Sequence, residues 1–559
     1  MPTTLASGSS PAPATFVHPN GTVSLRGRDF LSTLRMLGRH SVRRPLHSAK
    51  HALALGGQLG RILLGDTSQD EATADARFAD PTWKLNPFYR RSLLAYKAWQ
   101  KELNAWIDDS DLYADDRERA RFIAALVSDA LAPSNHPLNP LALKELLNSG
   151  GASVLNGLRH FVGDLRHNGG MPAQVDKQAF EVGGNIATTP GSVVYRNELL
   201  ELIHYQPQGE KQYSRPLLIV PPQINKYYVF DLSPEKSFVQ HMLKNDLPVF
   251  MISWRNPDAR HSDWSLSTYV QAIDETIDVC LAINNCKDLN LVGVCSAGLT
   301  IGVLQGYLQS KRQLRKINSA SYFVSLLDSQ LDTPIALFAD EKTLDFVKRR
   351  TRKHGVLEGS DMAKVFAWLR PNDLIWNYWV NNYLLGKEPP AFDVLYWNND
   401  STRLPAAFHA DLLDFFKHNP LRRPGALRVC DSPIDLRKVT VDSFTVAGTN
   451  DHITPWEAVY RSTLLLGGKR QFVLSNSGHI QAILNPPGNP KANYFTHDEF
   501  PTDPKRWFTQ AQHVKGSWWT LWTSWLQERS GELRDAVTQL GSEQYPPMEP
   551  APGLYVHEG

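Results

Sequence analysis

Between residues 215 and 327 the chain alternates short apolar runs with amphipathic stretches, and this rhythm most narrows the folds open to it. The apolar runs at 215–220, 248–253, 289–294 and 322–327 have the length of buried strands. Residues 237–244, 267–283 and 299–314 between them carry a helical period. Strands alternating with helices build a mostly parallel sheet covered on both faces. The rhythm lapses from about 333 to 436, a segment rich in aromatics such as Trp368, Trp376, Trp379, Tyr396, Trp397 and Phe408, and resumes in strands at 441–447 and 471–475. That interruption predicts a cap inserted into the sheet domain, most of its aromatics forming the cap's own core. Beyond Gly516, the tryptophans 518, 522 and 525 recur at helical spacing, as on a packing face.

A chain of 559 residues exceeds one hydrophobic core. Residues 24–192 read as a separate helical region suited to association with an interface or partner, and 193–559 as the sheet domain with its cap. Within 24–65, Leu31, Leu34, Leu37 and Leu53 lie among Arg26, Arg28, Arg35, Arg39, Arg43, Arg44 and Lys50. Such a basic amphipathic stretch either rests on an interface or packs on the rest of the protein. Residues 1–23, rich in Ser, Pro, Thr and Ala, read as a disordered tail without a secretory h-region. Four cysteines without paired spacing indicate a reducing, cytosolic compartment. A net charge of +2 gives no basic footprint for nucleic acid, and no apolar run reaches the roughly 18 residues of a transmembrane helix.

Chemistry enters at Gly293-Val294-Cys295-Ser296-Ala297-Gly298, where a strand passes directly into a helix. A sharp turn in that context is a nucleophile elbow, with small neighbours allowing close packing and the helix N-terminus favouring an anion. Alone, Cys295 would read as a buried structural cysteine. Two later strands, however, end at Asp451 and at His479, and polar residues beyond strand ends meet at the carboxyl edge of a parallel sheet. Nucleophile, acid, histidine is the α/β-hydrolase order. His479 is then the base toward the Cys295 thiol and the acid toward a departing thiol, with Asp451 orienting the imidazole. His452 competes for the base, but its neighbour Asp451 is poorly placed to orient it. For an oxyanion hole the candidates are the backbone N–H groups of Ser296 and, in the loop after the 215–220 strand, Ile224. No metal-ligand cluster, Walker-type loop or dinucleotide fingerprint occurs, so no cofactor and no metal are expected.

These motifs, with PPQINKYY at 221–228, SWRNP at 253–257, YWNNDSTRLP at 396–405 and GGK at 467–469, resemble the polyhydroxyalkanoate synthases over nearly everything past residue 24. In length and in these runs the chain is similar to the class II enzymes of pseudomonad type, in particular to the second of their paired synthases. The resemblance implies an α/β-hydrolase fold with an inserted cap and medium-chain (R)-3-hydroxyacyl-CoA substrates polymerised with release of CoA. It also implies a cytoplasmic homodimer on polyester storage granules. The family's nucleophile, acid and base fall on Cys295, Asp451 and His479, and its cap tryptophan, linked to activity or dimer contacts, on Trp397. The chain departs from the pattern at Ala297, where glycine is typical. The rival readings are a thioesterase or depolymerase on the same fold and a non-catalytic granule-surface protein.

Overall fold

The computed structural model describes residues 27–65, 75–330 and 341–559; the tail expected over 1–23 lies outside them. Ten strands form the central sheet: β1 (Gly191–Arg196), β2 (Leu200–Tyr205), β3 (Leu217–Val220), β4 (Val249–Trp254), β5 (Leu289–Val294), β6 (Ile317–Phe323), β7 (Asp442–Gly448), β8 (Arg470–Ser475), β9 (Asn493–Thr496) and β10 (Gln512–Lys515). Their spatial order is β1-β2-β4-β3-β5-β6-β7-β8-β9-β10. The strands from β4 to β8 in this order run parallel. Antiparallel pairs close both edges, β1 and β2 on one side, β9 and β10 on the other.

Every residue of β5 is buried, so its side chains feed two core layers in alternation. Leu218, Val220 and Leu291 join the layer under helices α6 (Leu266–Asn284) and α7 (Ser296–Ser310). Leu217, Ile219, Val292 and Val294 join the opposite layer, which Phe238, Trp518, Trp519 and Trp522 complete. The tryptophans of helix Trp518–Gln527 are thus a packing face, as their spacing predicts. The indole N–H groups of Trp518, Trp519 and Trp522 find acceptors, Trp522 donating to Ser321 Oγ at 2.8 Å.

Two strand expectations need correction. The run at 322–327 overlaps β6 in only its first two residues, since that strand begins at Ile317 and ends at Phe323. Asn318, Ser319 and Ser321 hide its start from an apolar count, yet they are satisfied inside the sheet: Ser319 and Asn318 donate to Asn290 Oδ1, and Ser321 receives Trp522. Likewise 215–220 is not the first strand, because β1 and β2 precede it. Glu201 and His204 break the apolar pattern of β2 although both are buried, Glu201 against Arg196.

The helical region comprises α1 (Gly27–Arg43), α2 (Pro45–Leu63), α3 (Pro87–Asp108), α4 (Ala114–Ala130) and α5 (Ala152–His167), with short helices between. The expected single amphipathic stretch breaks at Pro45, which has no N–H to continue a helix. The stretch packs on the rest of the protein and also leaves apolar side chains exposed. Met36 and Leu37 pack against Ile107, Ala120 and Ala124, while Leu31, Leu34 and Leu53 face outward. Among the described residues no helix is long and apolar enough to cross a membrane.

The cap segment folds as helices Glu341–His354, Gly359–Leu369, Asp393–Asn399 and Ala406–His418 around a mostly π-helical segment at 372–384. The helical region docks on that segment. A Cβ on Gly157 of α5 would lie 2.0 Å from the Tyr383 carbonyl oxygen, so only glycine permits that approach. Asn382 donates to Ala173 O at 2.7 Å, Tyr383 to Asp164 Oδ2 at 2.7 Å, and Trp379 to Asn135 O at 3.1 Å.

Trp522→Ala removes a fully buried indole packed on Phe323 and strands the Ser321 hydroxyl. We expect a loss of about 3–5 kcal/mol, read as a lower urea midpoint.

Candidate active site

The turn from β5 into α7 is one residue wide. Cys295 takes φ 52° and ψ −119°, a conformation that costs a non-glycine residue on the order of 1–3 kcal/mol. Its neighbours hold it there: Cys295 N–H donates to Phe323 O at 2.9 Å, and Gly298 N–H to Cys295 O at 3.1 Å. Close packing falls on two glycines. A Cβ on Gly293 would sit 2.6 Å from Ile301 Cδ1, and one on Gly298 would sit 2.0 Å from Ser325 Oγ. Ala297, the departure from the family pattern, points its methyl into the α6–α7 core layer, where it fits. The elbow therefore keeps its shape without a glycine at that position.

Asp451 follows β7 and His479 follows β8, and the two loops meet closely. A Cβ on Gly448 would lie 2.5 Å from Ser477 O, while Asn450 N–H donates to that carbonyl at 3.1 Å. The Asp451 carboxylate is fully occupied. Oδ1 accepts the N–H groups of Ile453 and Thr454, each at 2.8 Å. Oδ2 accepts the Thr454 hydroxyl at 2.6 Å and lies 2.7 Å from His479 Nδ1. Thr454 was not among the residues expected from sequence; its place three residues after an acidic turn former is the signal that could have found it.

Both partners are buried. Burial alone would lower the His479 pKa, but the Asp451 charge, aided by Cys295, outweighs it and raises the imidazole well above the ordinary histidine range. Cys295 is close enough to the ring to act on it by charge and by hydrogen bonding, so the structure brings all three expected residues together. Burial would likewise raise the Asp451 carboxyl, yet the His479 charge and the bonds from His479 and Thr454 hold it below the ordinary carboxylate range. A raised histidine stabilises the fold at low pH and loses that contribution as pH rises through its own pKa; a depressed aspartate loses its contribution as pH falls. The pair thus supports the fold across neutral pH.

His452 is placed differently. Its Nδ1 is buried without a hydrogen-bond partner, and burial, with the Arg370 charge from the cap, brings its pKa down to about 4. It stays a neutral imidazole beside the acid rather than bonding to it.

The loop after β3 lies between elbow and cap. Ser296 Oγ donates to Gln223 Oε1 at 2.7 Å, and Gln223 Nε2 donates to Thr300 Oγ1 at 3.0 Å. From the cap, Thr402 Oγ1 donates to Gln223 O at 2.6 Å, Thr402 N–H to Ile224 O at 3.2 Å, and the buried Trp397 indole to Lys226 O at 2.7 Å. In a trans peptide the N–H opposes the preceding carbonyl. With Gln223 O turned to Thr402, the Ile224 N–H therefore points away from that cap residue. Ser296 N–H opens the first turn of α7, where backbone donors have no helical partner. Gln223 and Thr402 are further residues that sequence reasoning did not single out.

A parallel sheet in this order, with a strained cysteine elbow after β5 and an aspartate–histidine pair after β7 and β8, defines an α/β-hydrolase-fold enzyme with an inserted cap. Two family models match accordingly: "alpha/beta hydrolase fold" over residues 216–486 and "Poly-beta-hydroxybutyrate polymerase (PhaC) N-terminus" over residues 74–242. The chain belongs to the poly(3-hydroxyalkanoate) polymerase family, enzymes of acyltransferase type. It is 62% identical over 552 residues to poly(3-hydroxyalkanoate) polymerase 2 of Ectopseudomonas oleovorans, covering 99% of each chain. It is 54% identical to polymerase 1 of the same organism, covering 96% of each. Among solved structures, a Paleococcus ferrophilus monoacylglycerol lipase is 13% identical at a TM-score of 0.30, covering 57% of this chain and 97% of that one.

Asp451→Asn removes the charge that raises His479. By imidazole NMR, His479 should be protonated at neutral pH in the wild type and neutral in the variant; an unchanged titration would contradict this origin of the shift.

Proposed function

We propose that the chain polymerises medium-chain (R)-3-hydroxyacyl-CoA into polyester through a covalent acyl-enzyme on Cys295. The observation carrying this reading is the buried Asp451–His479 pair, 2.7 Å apart, acting on a sulfur held at the strained elbow.

With its proton already held on His479, the Cys295 sulfur attacks the thioester carbonyl. The tetrahedral oxyanion is received by the N–H groups of Ser296 and Ile224. Collapse breaks the bond to CoA, whose sulfur takes the proton from His479, leaving acyl-Cys295. A 3-hydroxyl then attacks this thioester, His479 taking and keeping its proton as the Cys295 sulfur departs. One ester bond forms for each CoA released. Asp451 holds the ring and offsets its charge throughout, and it accepts no proton because its lone pairs are already engaged.

Thioester exchange between two sulfurs suits cysteine, since attacking and departing groups have similar basicity. The acyl-enzyme must be kept from water, and the cap bound across the loop after β3 serves that end. Trp397 acts here from within the protomer: its buried indole anchors the loop rather than meeting a second copy.

The protein works in the cytoplasm as a homodimer at the surface of its own polymer granule. The outward-facing side chains Val154, Leu155, Leu158 and Leu165 of α5 support that placement, as do Leu31, Leu34 and Leu53 nearer the start of the chain.

Cys295→Ala should abolish CoA release from 3-hydroxyacyl-CoA, a loss of at least about 10³-fold, while the circular dichroism spectrum is unchanged. Product analysis of the wild type should find insoluble polyester; free hydroxyacid as sole product would favour a thioesterase instead. Ala297→Gly should leave turnover within about twofold and cost about 1 kcal/mol of stability, because a helical methyl is lost without disturbing the turn.

A further inference from the structure

One buried cation stands beside the site with no part in the chemistry above. Lys226, two residues beyond Ile224, is only 3% exposed. Among the described residues its ammonium forms no ion pair within bonding distance; it donates instead to two main-chain carbonyls near the chain's end, Glu558 O at 2.6 Å and Tyr555 O at 3.4 Å. Burial pushes its pKa down, the Asp400 and Glu558 charges opposing that shift and Arg403 adding to it. A lysine buried at such cost needs every donor position well placed.

The segment that receives it is itself clamped. The carboxylate of Glu201 accepts the N–H groups of Leu554 and Tyr555, the latter at 3.0 Å. Tyr555 OH donates to Asn197 O at 2.8 Å, and the Arg255 guanidinium lies 4.0 Å above the Tyr555 ring. Arg255 also pairs with Glu558 at 3.3 Å, and the cap residue Arg403 donates to Gly559 O at 3.2 Å. Residues 554–559 thus form a clasp joining strand β2, the end of β4 and the cap. Lys226 carries the loop after β3 onto that clasp.

We propose that Lys226 is a positioning residue, held by the 554–559 clasp, that fixes the loop carrying Ile224 so that its N–H is aimed at the developing oxyanion. This rests on the oxyanion role given to Ile224 above. Three anchors then define the loop: Ser296 from the elbow, Thr402 and Trp397 from the cap, and the clasp through Lys226. The first two hold backbone and amide groups in place. The third fixes how far the loop can swing, because a buried ammonium cannot leave its carbonyls without being stranded.

Two variants test this, Lys226→Met, which keeps length and removes the charge, and deletion of residues 558–559, which removes the nearer carbonyl. Each is compared with wild type for single-turnover CoA release, for KM and for the rate at which iodoacetamide alkylates Cys295, with Cys295→Ala as the blank for CoA release and for alkylation elsewhere. Alkylation needs the thiol and His479 but no oxyanion hole, so a merely structural defect would lower both rates together. We expect CoA release to fall at least about tenfold in both variants, with KM and alkylation within about twofold of wild type. CoA release within about twofold of wild type overturns the proposal, as does alkylation falling in step with it. A dead Cys295→Ala beside an unimpaired Lys226→Met overturns this inference alone, whereas an unimpaired Cys295→Ala overturns the catalytic reading and this inference with it.

Discussion

The single-residue corner at Cys295 is the constraint around which the rest of the molecule is arranged. A side chain at φ 52° persists only where its surroundings leave the backbone no alternative. Those surroundings are built by β5 and β6, whose pairing places Phe323 O to receive the Cys295 N–H, and by two glycines that let α7 start against the strand it has just left. The sheet's order matters for the same reason. It sets β6 and β7 between β5 and β8, so the histidine loop must reach back across them, and the Gly448 contact with Ser477 brings the aspartate loop alongside it.

From that corner the structure extends outward in tied layers. The loop after β3 is bonded to the elbow helix on one side and to the cap on the other, and the cap in turn carries the helical region on its π-helical segment. The helical region reaches the site both through the cap and through Ala187 and Thr189, which bond Asp231 just beyond the loop after β3. The exposed leucines of α1, α2 and α5 lie on this outer layer, away from the contacts that α5 makes with residues 382 and 383. A protein whose product is an apolar solid can thereby present apolar surface without loosening its catalytic core.

The parts of this arrangement legible in the sequence are those in which burial and apolarity coincide. β5 is apolar but for Asn290, and its boundaries are those the sequence predicts. β6 and β2 were obscured because serines, an asparagine, a glutamate and a histidine are buried in them, each tolerated through long-range packing or a partner far along the chain: Trp522 for Ser321, Leu554 and Tyr555 for Glu201, Phe250 stacked on His204. A local pattern carries no trace of such partners. The same holds at the site. Cys295, Asp451 and His479 follow from strand-end placement and order, whereas Thr402, Gln223 and Lys226 take their positions from a cap and a terminal segment more than a hundred residues away. Ala297 shows the reverse case, a departure visible in sequence that proves harmless once Gly293 and Gly298 are seen to carry the close contacts.

Catalysis at the elbow requires that the substrate acyl group become bonded to the Cys295 sulfur. A saturated medium-chain acyl-CoA lacking the 3-hydroxyl can acylate the enzyme but offers no nucleophile for chain extension. After mixing with it, the intact protein should gain the mass of one acyl group, and peptide mapping should locate that mass on Cys295. Acyl transfer to any other residue, or CoA released with no adduct under conditions that preserve thioesters, would contradict the mechanism.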